Sequence, residues 1–217
     1  MSADQIPALS SVWAAFLDEV DRSLPEPVEL HCIGGFVVSQ LYGFPRPTGD
    51  VDYVTAIPHD RVADLEELAG RGSNLEKRFR IHLQHVTVVT MPEDYESRLV
   101  NIFPGRFTKL SLRAPDPYDL VLSKLERNSP KDQEDVEYLA TTIPLNGEIL
   151  RDRYQRELRP NLIARHSWHD QTLSRWIERF PRPKLTQAGE PVGWLTRSAG
   201  LRRGPVWPLS WPARPRR

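Results

Sequence analysis

The chain has 217 residues, with 29 Lys or Arg against 29 Asp or Glu and 39% apolar residues. That is enough to bury a core, and it suits one globular domain with an appendage. Its one cysteine, Cys32, excludes an internal disulfide framework. With no paired His/Cys cluster at ligand spacing, it also argues against a structural zinc site. Met1-Ser2-Ala3-Asp4-Gln5 lacks the basic start and apolar core of a signal peptide, and no apolar run approaches ~18 residues. A cytoplasmic protein without a membrane span is therefore expected.

Residues 9–24 read as an amphipathic helix with Val12, Phe16 and Val20 on one side. A short β-favouring run over 27–33 follows, then Gly34-Gly35, then a helix over 36–42. The β-α alternation continues with a strand over 50–57, a helix over 59–69 stopped by Gly70-Arg71-Gly72, a strand over 82–90, a helix over 93–102 and a short strand over 107–112. From Pro117 the pattern is helical, near 118–127, 131–141, 147–158 and 167–180. This order predicts an α/β fold, with a mixed sheet flanked by helices and a helical C-terminal subdomain. The expected division is 1–115 for the α/β core, 116–180 for the helices that complete the active site, and 181–217 for a tail.

The chemistry concentrates in two stretches. Gly34-Gly35 sits where a strand gives way to a helix, so backbone N–H groups can approach a phosphate closely and the helix start adds partial positive charge. In Asp50-Val51-Asp52 the period of two puts both carboxylates on one face of a strand. Two acids there repel unless a cation lies between them, and Mg²⁺ is commonly held by one or two carboxylates together with water and substrate phosphates. A solvated turn at a strand edge is the plainer alternative for Asp-x-Asp. Arg46 suits either a phosphate or an ion pair that clamps the Asp50 loop, and Thr48 is expected to fix the turn that aims Asp50. Further on, Lys124 interrupts an apolar helix and either snorkels or meets an anion. Asp132 follows Pro130 in the first turn of a helix, where an acid also favours the helix dipole.

Together, Gly34-Gly35, Gly43, Arg46, Thr48, Asp50 and Asp52 resemble the signature of the polymerase-beta-type nucleotidyltransferase superfamily, specifically its AbiEii and MenT-like toxin branch. The run 119–127 followed by Lys131-Asp132-Gln133-Glu134-Asp135 resembles that branch's downstream motif, and the likeness covers about residues 28 to 140. The resemblance implies Asp50 and Asp52 as metal ligands and catalytic residues, Gly34 and Gly35 as the phosphate-facing turn, with Arg46 and Thr48 beside the nucleotide. It implies Lys124 as a triphosphate contact and Asp132 or Asp135 as an acid near the active site. The implied cofactor is Mg²⁺ or Mn²⁺ with an NTP as substrate, and the implied role is the toxin of a toxin-antitoxin system acting on tRNA 3′ ends, partnered by an antitoxin. That family often supplies a third carboxylate from a later strand. Here residues 81–90 contain no acid, Glu93 and Asp94 lie beyond Pro92, and His85 is a candidate substitute base.

A different acceptor, protein or small molecule, keeps the same chemistry, and the absent strand carboxylate leaves room for a catalytically weak nucleotide-binding or partner-binding module. Arg151, Arg153, Arg156 and Arg159 offer a basic landing surface for RNA, or a solvated face interspersed with Asp152 and Glu157. Residues 181–217 carry eight Lys or Arg against Glu190 alone, so they hold +7 and the rest of the chain −7. With their prolines and Trp194, Trp207 and Trp211 they read as a poorly ordered arm suited to phosphate contacts and base stacking, or as an extension without function.

Overall fold

The computed structural model describes residues 9–181; of the tail expected over 181–217, all but Pro181 lies outside them. The described residues belong to one compact unit that ends at Pro181. Helix α1 (Ser11–Ser23) buries Trp13, Phe16, Leu17 and Val20, the i, i+3, i+4, i+7 stripe of an amphipathic helix. Strand β1 (Val28–Ile33) is buried along nearly its whole length. It is the central strand of a five-stranded sheet, flanked by β2 (Asp50–Ile57) and β5 (Leu110–Ala114), with β3 (His82–His85) outside β2 and β4 (Val100–Ile102) outside β5.

The sheet is mixed, as expected. β1 runs antiparallel to β2 and parallel to β5, β2 is parallel to β3, and β4 closes the other edge antiparallel to β5. β2 has the expected bounds, and its burial alternates over its first four residues, with Val51 and Tyr53 buried and Asp50 and Asp52 half-buried. Val51 and Tyr53 join Leu30, Cys32, Leu83 and Leu112 in the core, which leaves the two aspartates on the opposite face.

Helix α2 (Gly34–Gln40) follows β1 directly. It ends on Gly43 in the left-handed region (φ 79°), where Gly43 N–H reaches Ser39 O and Phe44 N–H reaches Val38 O. The expected helix over 59–69 is a single 3₁₀ turn leading into α3 (Val62–Ala69). Helix α4 (Asn74–Phe79) was not expected; the Ser73 hydroxyl accepts from Glu76 N–H and starts it, a local cap that overrides a weak apolar pattern.

Two expectations fail between residues 86 and 102. The strand expected to reach Thr90 stops at His85, and the helix expected over 93–102 is one 3₁₀ turn (Tyr95–Arg98) followed by β4. Pairing of Val100 and Ile102 with Ala114 and Leu112 wins over local helical preference.

Helix α5 (Pro117–Leu122) is capped by Asp116 and is shorter than expected. α6 (Pro130–Thr142) opens with a complete capping box between Ser129 and Asp132. α7 (Gly147–Arg153), capped by Asn146, runs into a π-helical turn, Tyr154–Leu158, and α8 (His166–Arg179) is the last element among the described residues. An ion-pair network ties these helices to the 3₁₀ turn before β4. Arg98 donates to Asp119 at 2.7 Å and to Glu157 at 2.5 Å, while Arg153 bridges Asp116 and Asp119 at 2.8 and 2.9 Å. No helix among the described residues is long and apolar enough to cross a membrane.

Candidate active site

β2 presents Asp50 and Asp52 on its less buried face. The Thr48 hydroxyl donates to Asp50 Oδ1 at 2.7 Å, so Thr48 holds the carboxylate itself and not merely the backbone of the turn. Asp52 stands opposite Ile33, the last residue of β1. Gly34 follows with φ 74°, and a Cβ there would lie 2.5 Å from Asp52 Oδ2. The left-handed backbone favours glycine at 34, and any Cβ there would also displace the Asp52 carboxylate. Gly35 is less confined, with its nearest side-chain atoms, of Arg46 and Thr48, at 3.5 Å from a built Cβ.

Burial, and after it the Asp50 charge, pushes the Asp52 carboxyl up to about 6, against the pull of Arg127, Lys124 and His82. A carboxylate destabilised by its like-charged neighbour in this way is relieved by a cation. Hard, oxygen-liking Mg²⁺ or Mn²⁺ fits this pair, provided that waters or substrate phosphates complete the shell. Among the described residues no group of three or more His, Cys, Asp or Glu is gathered to hold an ion.

A cavity of about 360 Å³ opens beside Asp52. Its walls include Gly34 from the start of α2, Gln84 from β3, and Lys124, Arg127 and Asp132 from the turn after α5 and the start of α6. Lys124 lies just past the end of α5 and not within a helix face. It is only 3% exposed, and its ammonium neither snorkels to water nor stands alone, because Nζ donates to Asp135 at 2.7 Å and lies 3.9 Å from Asp132. Arg127 makes a bidentate pair with Asp132, both bonds at 2.7 Å. Burial pushes the Asp132 carboxyl up, but the hydrogen bonds from Arg127 and Ser129 outweigh it and hold it below its ordinary value. Arg46 pairs with the other oxygen of Asp135. Its guanidinium lies over Phe44, which stacks on Tyr138 of α6 at 4.5 Å.

A chain of alternating charges, Arg46, Asp135, Lys124, Asp132 and Arg127, thus joins the loop before β2 to α6. Asp132 and Asp135 serve this chain as partners of cations, and Asp132 also caps α6, the plainer role open to it from the sequence.

The register of β3 settles what faces the aspartates. Gln84 pairs with Asp52 and lines the cavity, while His85 pairs with Tyr53 and stacks on its ring at 5.2 Å. His85 therefore belongs to the opposite face and is no base for this site. Arg127 and Gln84 were not singled out from sequence. Arg127 follows Lys124 by three residues, a spacing that was legible, whereas Gln84 is marked only by a strand register absent from local pattern.

No curated protein and no solved structure matches the chain. The model of one family, described as "nucleotidyltransferase of unknown function (DUF6036)", matches residues 15–181. That span holds both aspartates, the glycine turn and the charged chain from α5 to α6, and the chain belongs to this nucleotidyltransferase family.

Proposed function

We propose that this chain transfers a nucleoside monophosphate from an NTP to an acceptor hydroxyl and releases pyrophosphate. The observation that carries the reading is the Asp50 and Asp52 pair on one face of β2, beside a cavity that also holds Lys124 and Arg127. Asp50 and Asp52 would hold Mg²⁺ or Mn²⁺, which when bound offsets phosphate charge and polarises the α-phosphate.

The residues divide the remaining work. Thr48 holds the Asp50 carboxylate through its hydroxyl. Gly34 and Gly35 let backbone come close to phosphate oxygens, and Lys124 and Arg127 supply the positive wall for the β- and γ-phosphates. Asp135 and Asp132 position these two cations, and Arg46 anchors Asp135 in turn. With Asp50 and Asp52 given to the cation, the acceptor hydroxyl passes its proton to a substrate phosphate oxygen as it attacks the α-phosphorus. The bond from the α-phosphorus to the bridging oxygen then breaks, and its electron pair leaves with pyrophosphate. The helices from residue 116 on act as the part that completes the site, with residues 1–115 as the catalytic core.

For the acceptor we propose a tRNA 3′ end, and for the cellular role a toxin held in check by an antitoxin, on the strength of the likeness of both motif blocks to the AbiEii and MenT-like branch. The landing surface needs revision. Arg153, Arg156 and Arg159 are paired with Asp116 and Asp119, with Asp152 and with Asp170 respectively, so little free positive charge remains along 151–159. The basic residues after 181 are the stronger candidate for RNA contact.

A second reading, a nucleotide-binding module with weak or no catalysis, is favoured by the neutral Gln84 beside Asp52 on the neighbouring strand. Incubation of the full chain with Mg²⁺, each α-³²P-labelled NTP and total tRNA decides between them. Labelled RNA that disappears in both Asp50→Ala and Asp52→Ala is the expected result. Labelled protein would move the acceptor to a polypeptide, and bound nucleotide with no label would leave the binding module.

A further inference from the structure

The cavity beside Asp52 has two unlike walls. One carries Asp52, Lys124, Arg127 and Asp132; another is Val86, Val88 and Val89, from the segment where the chain leaves β3. Val86 N–H still bonds Tyr53 O at 2.9 Å, but the strand then ends, and Val88 is 88% exposed. Three valines on a cavity that also carries Lys124 and Arg127 make an apolar strip beside cationic side chains. A flat heteroaromatic ring carrying phosphates matches that division.

Glu126 stands on the same cavity. This glutamate is exposed; its Oε2 accepts from the Thr90 hydroxyl at 2.8 Å, which ties the valine segment to the turn after α5 and orients the carboxylate, while no described residue donates to Oε1. An ionised carboxylate only accepts. Among the four bases guanine alone presents two adjacent donors, N1–H and the N2 amino group. Adenine and cytosine set an acceptor beside their amino group, and uracil flanks a single N–H with two carbonyls.

We propose that the base of the bound nucleotide lies against Val86, Val88 and Val89, and that Glu126 selects guanine by accepting from N1–H and N2–H. The inference rests on the cavity being the nucleotide site of the transfer reaction, and it deepens that reading by assigning the base. Glu126 is then a specificity-determining residue, and Thr90 is the group that positions it.

The test is calorimetric titration of the full chain, in Mg²⁺, with non-hydrolysable analogues of GTP, ATP, CTP and UTP, run beside the labelled transfer assay. The GTP analogue is expected to bind about tenfold or more tighter than the ATP analogue, and Glu126→Gln to reduce that ratio by a similar factor, the range for losing a charge-assisted hydrogen bond. Thr90→Val, which leaves the carboxylate but frees it, should lower the ratio less. Val88→Asp should weaken all four analogues together. An unchanged thermal midpoint in each variant certifies that the fold is intact.

Equal binding of the four analogues, preference for another base, or a ratio that Glu126→Gln leaves unmoved would overturn the proposal. Label transfer without base preference would sink this inference and leave the reaction standing. Guanine-selective binding without label would do the reverse, and absence of any nucleotide binding would remove both.

Discussion

At Gly34 two demands coincide, a left-handed backbone and an Asp52 oxygen within 2.5 Å of where a Cβ would sit. Gly34→Ala should therefore cost about 1–2 kcal/mol from backbone conformation alone, and more if Asp52 must move. The prediction is a lowered urea midpoint together with lost label transfer. Thr48→Val tests a finer point, since it removes the hydroxyl donated to Asp50 Oδ1 while keeping shape. Loss of a partner that orients a metal ligand commonly weakens metal affinity by about 10–100-fold, so Mg²⁺ titration of transfer should shift by that factor with little change in stability. At this scale the sequence was informative where chemistry and spacing coincide, as at Gly34, Thr48, Asp50 and Asp52. It was uninformative where a partner comes from far along the chain, as with Arg46 and Asp135, whose pairing spans 89 positions.

Secondary elements were legible where their caps or alternation are local. β2 and α6 were expected almost as they stand, the first from its valine and aspartate alternation and the second from Pro130 and Asp132. The segment 86–102 was misread because its apolar residues do two different jobs: Val86, Val88 and Val89 face a cavity, while Val100 and Ile102 join the sheet edge. No window of local sequence distinguishes those roles. One attachment of the C-terminal helices was equally hidden, because beside the shared apolar core it uses Arg98 reaching Asp119, a carboxylate with no exposed surface. Arg98→Met should be costly, about 3–5 kcal/mol, since it strips a buried carboxylate of a partner, although Arg153 still offsets part of that loss. Ser129→Ala should cost only ~1 kcal/mol. Denaturant unfolding of both variants should reproduce that ranking, and a reversed order would mean that the network is dispensable.

For the molecule as a whole, the raised Asp52 pKa makes stability depend on pH with a definite sign. Without metal the folded state holds that proton more tightly than the unfolded chain, so the contribution is complete below pH 3.8 and is lost as pH rises through about 6. The metal-free thermal midpoint should therefore decline across that window, and Asp52→Asn should flatten the decline. Mg²⁺ acts in the opposite direction, because it competes with the proton and binds the folded state; at 100 times its dissociation constant it should add about 2.7 kcal/mol. A thermal midpoint at pH 8 that ignores Mg²⁺ would count against Asp50 and Asp52 as its ligands.

The central strand also has a bearing on synthesis. Val28 of β1 is paired with Leu110 of β5, so the strand on which the whole sheet is built waits for a neighbour made 82 residues later. At a ribosome's pace of about 5–20 residues per second, that is a delay of roughly 4–16 s. Lys124 and Asp135 emerge later still. A truncated or stalled nascent chain would expose half of β1 as an unpaired edge and would lack the cations of the cavity, so the carboxylate pair is complete well before anything is in place to use it.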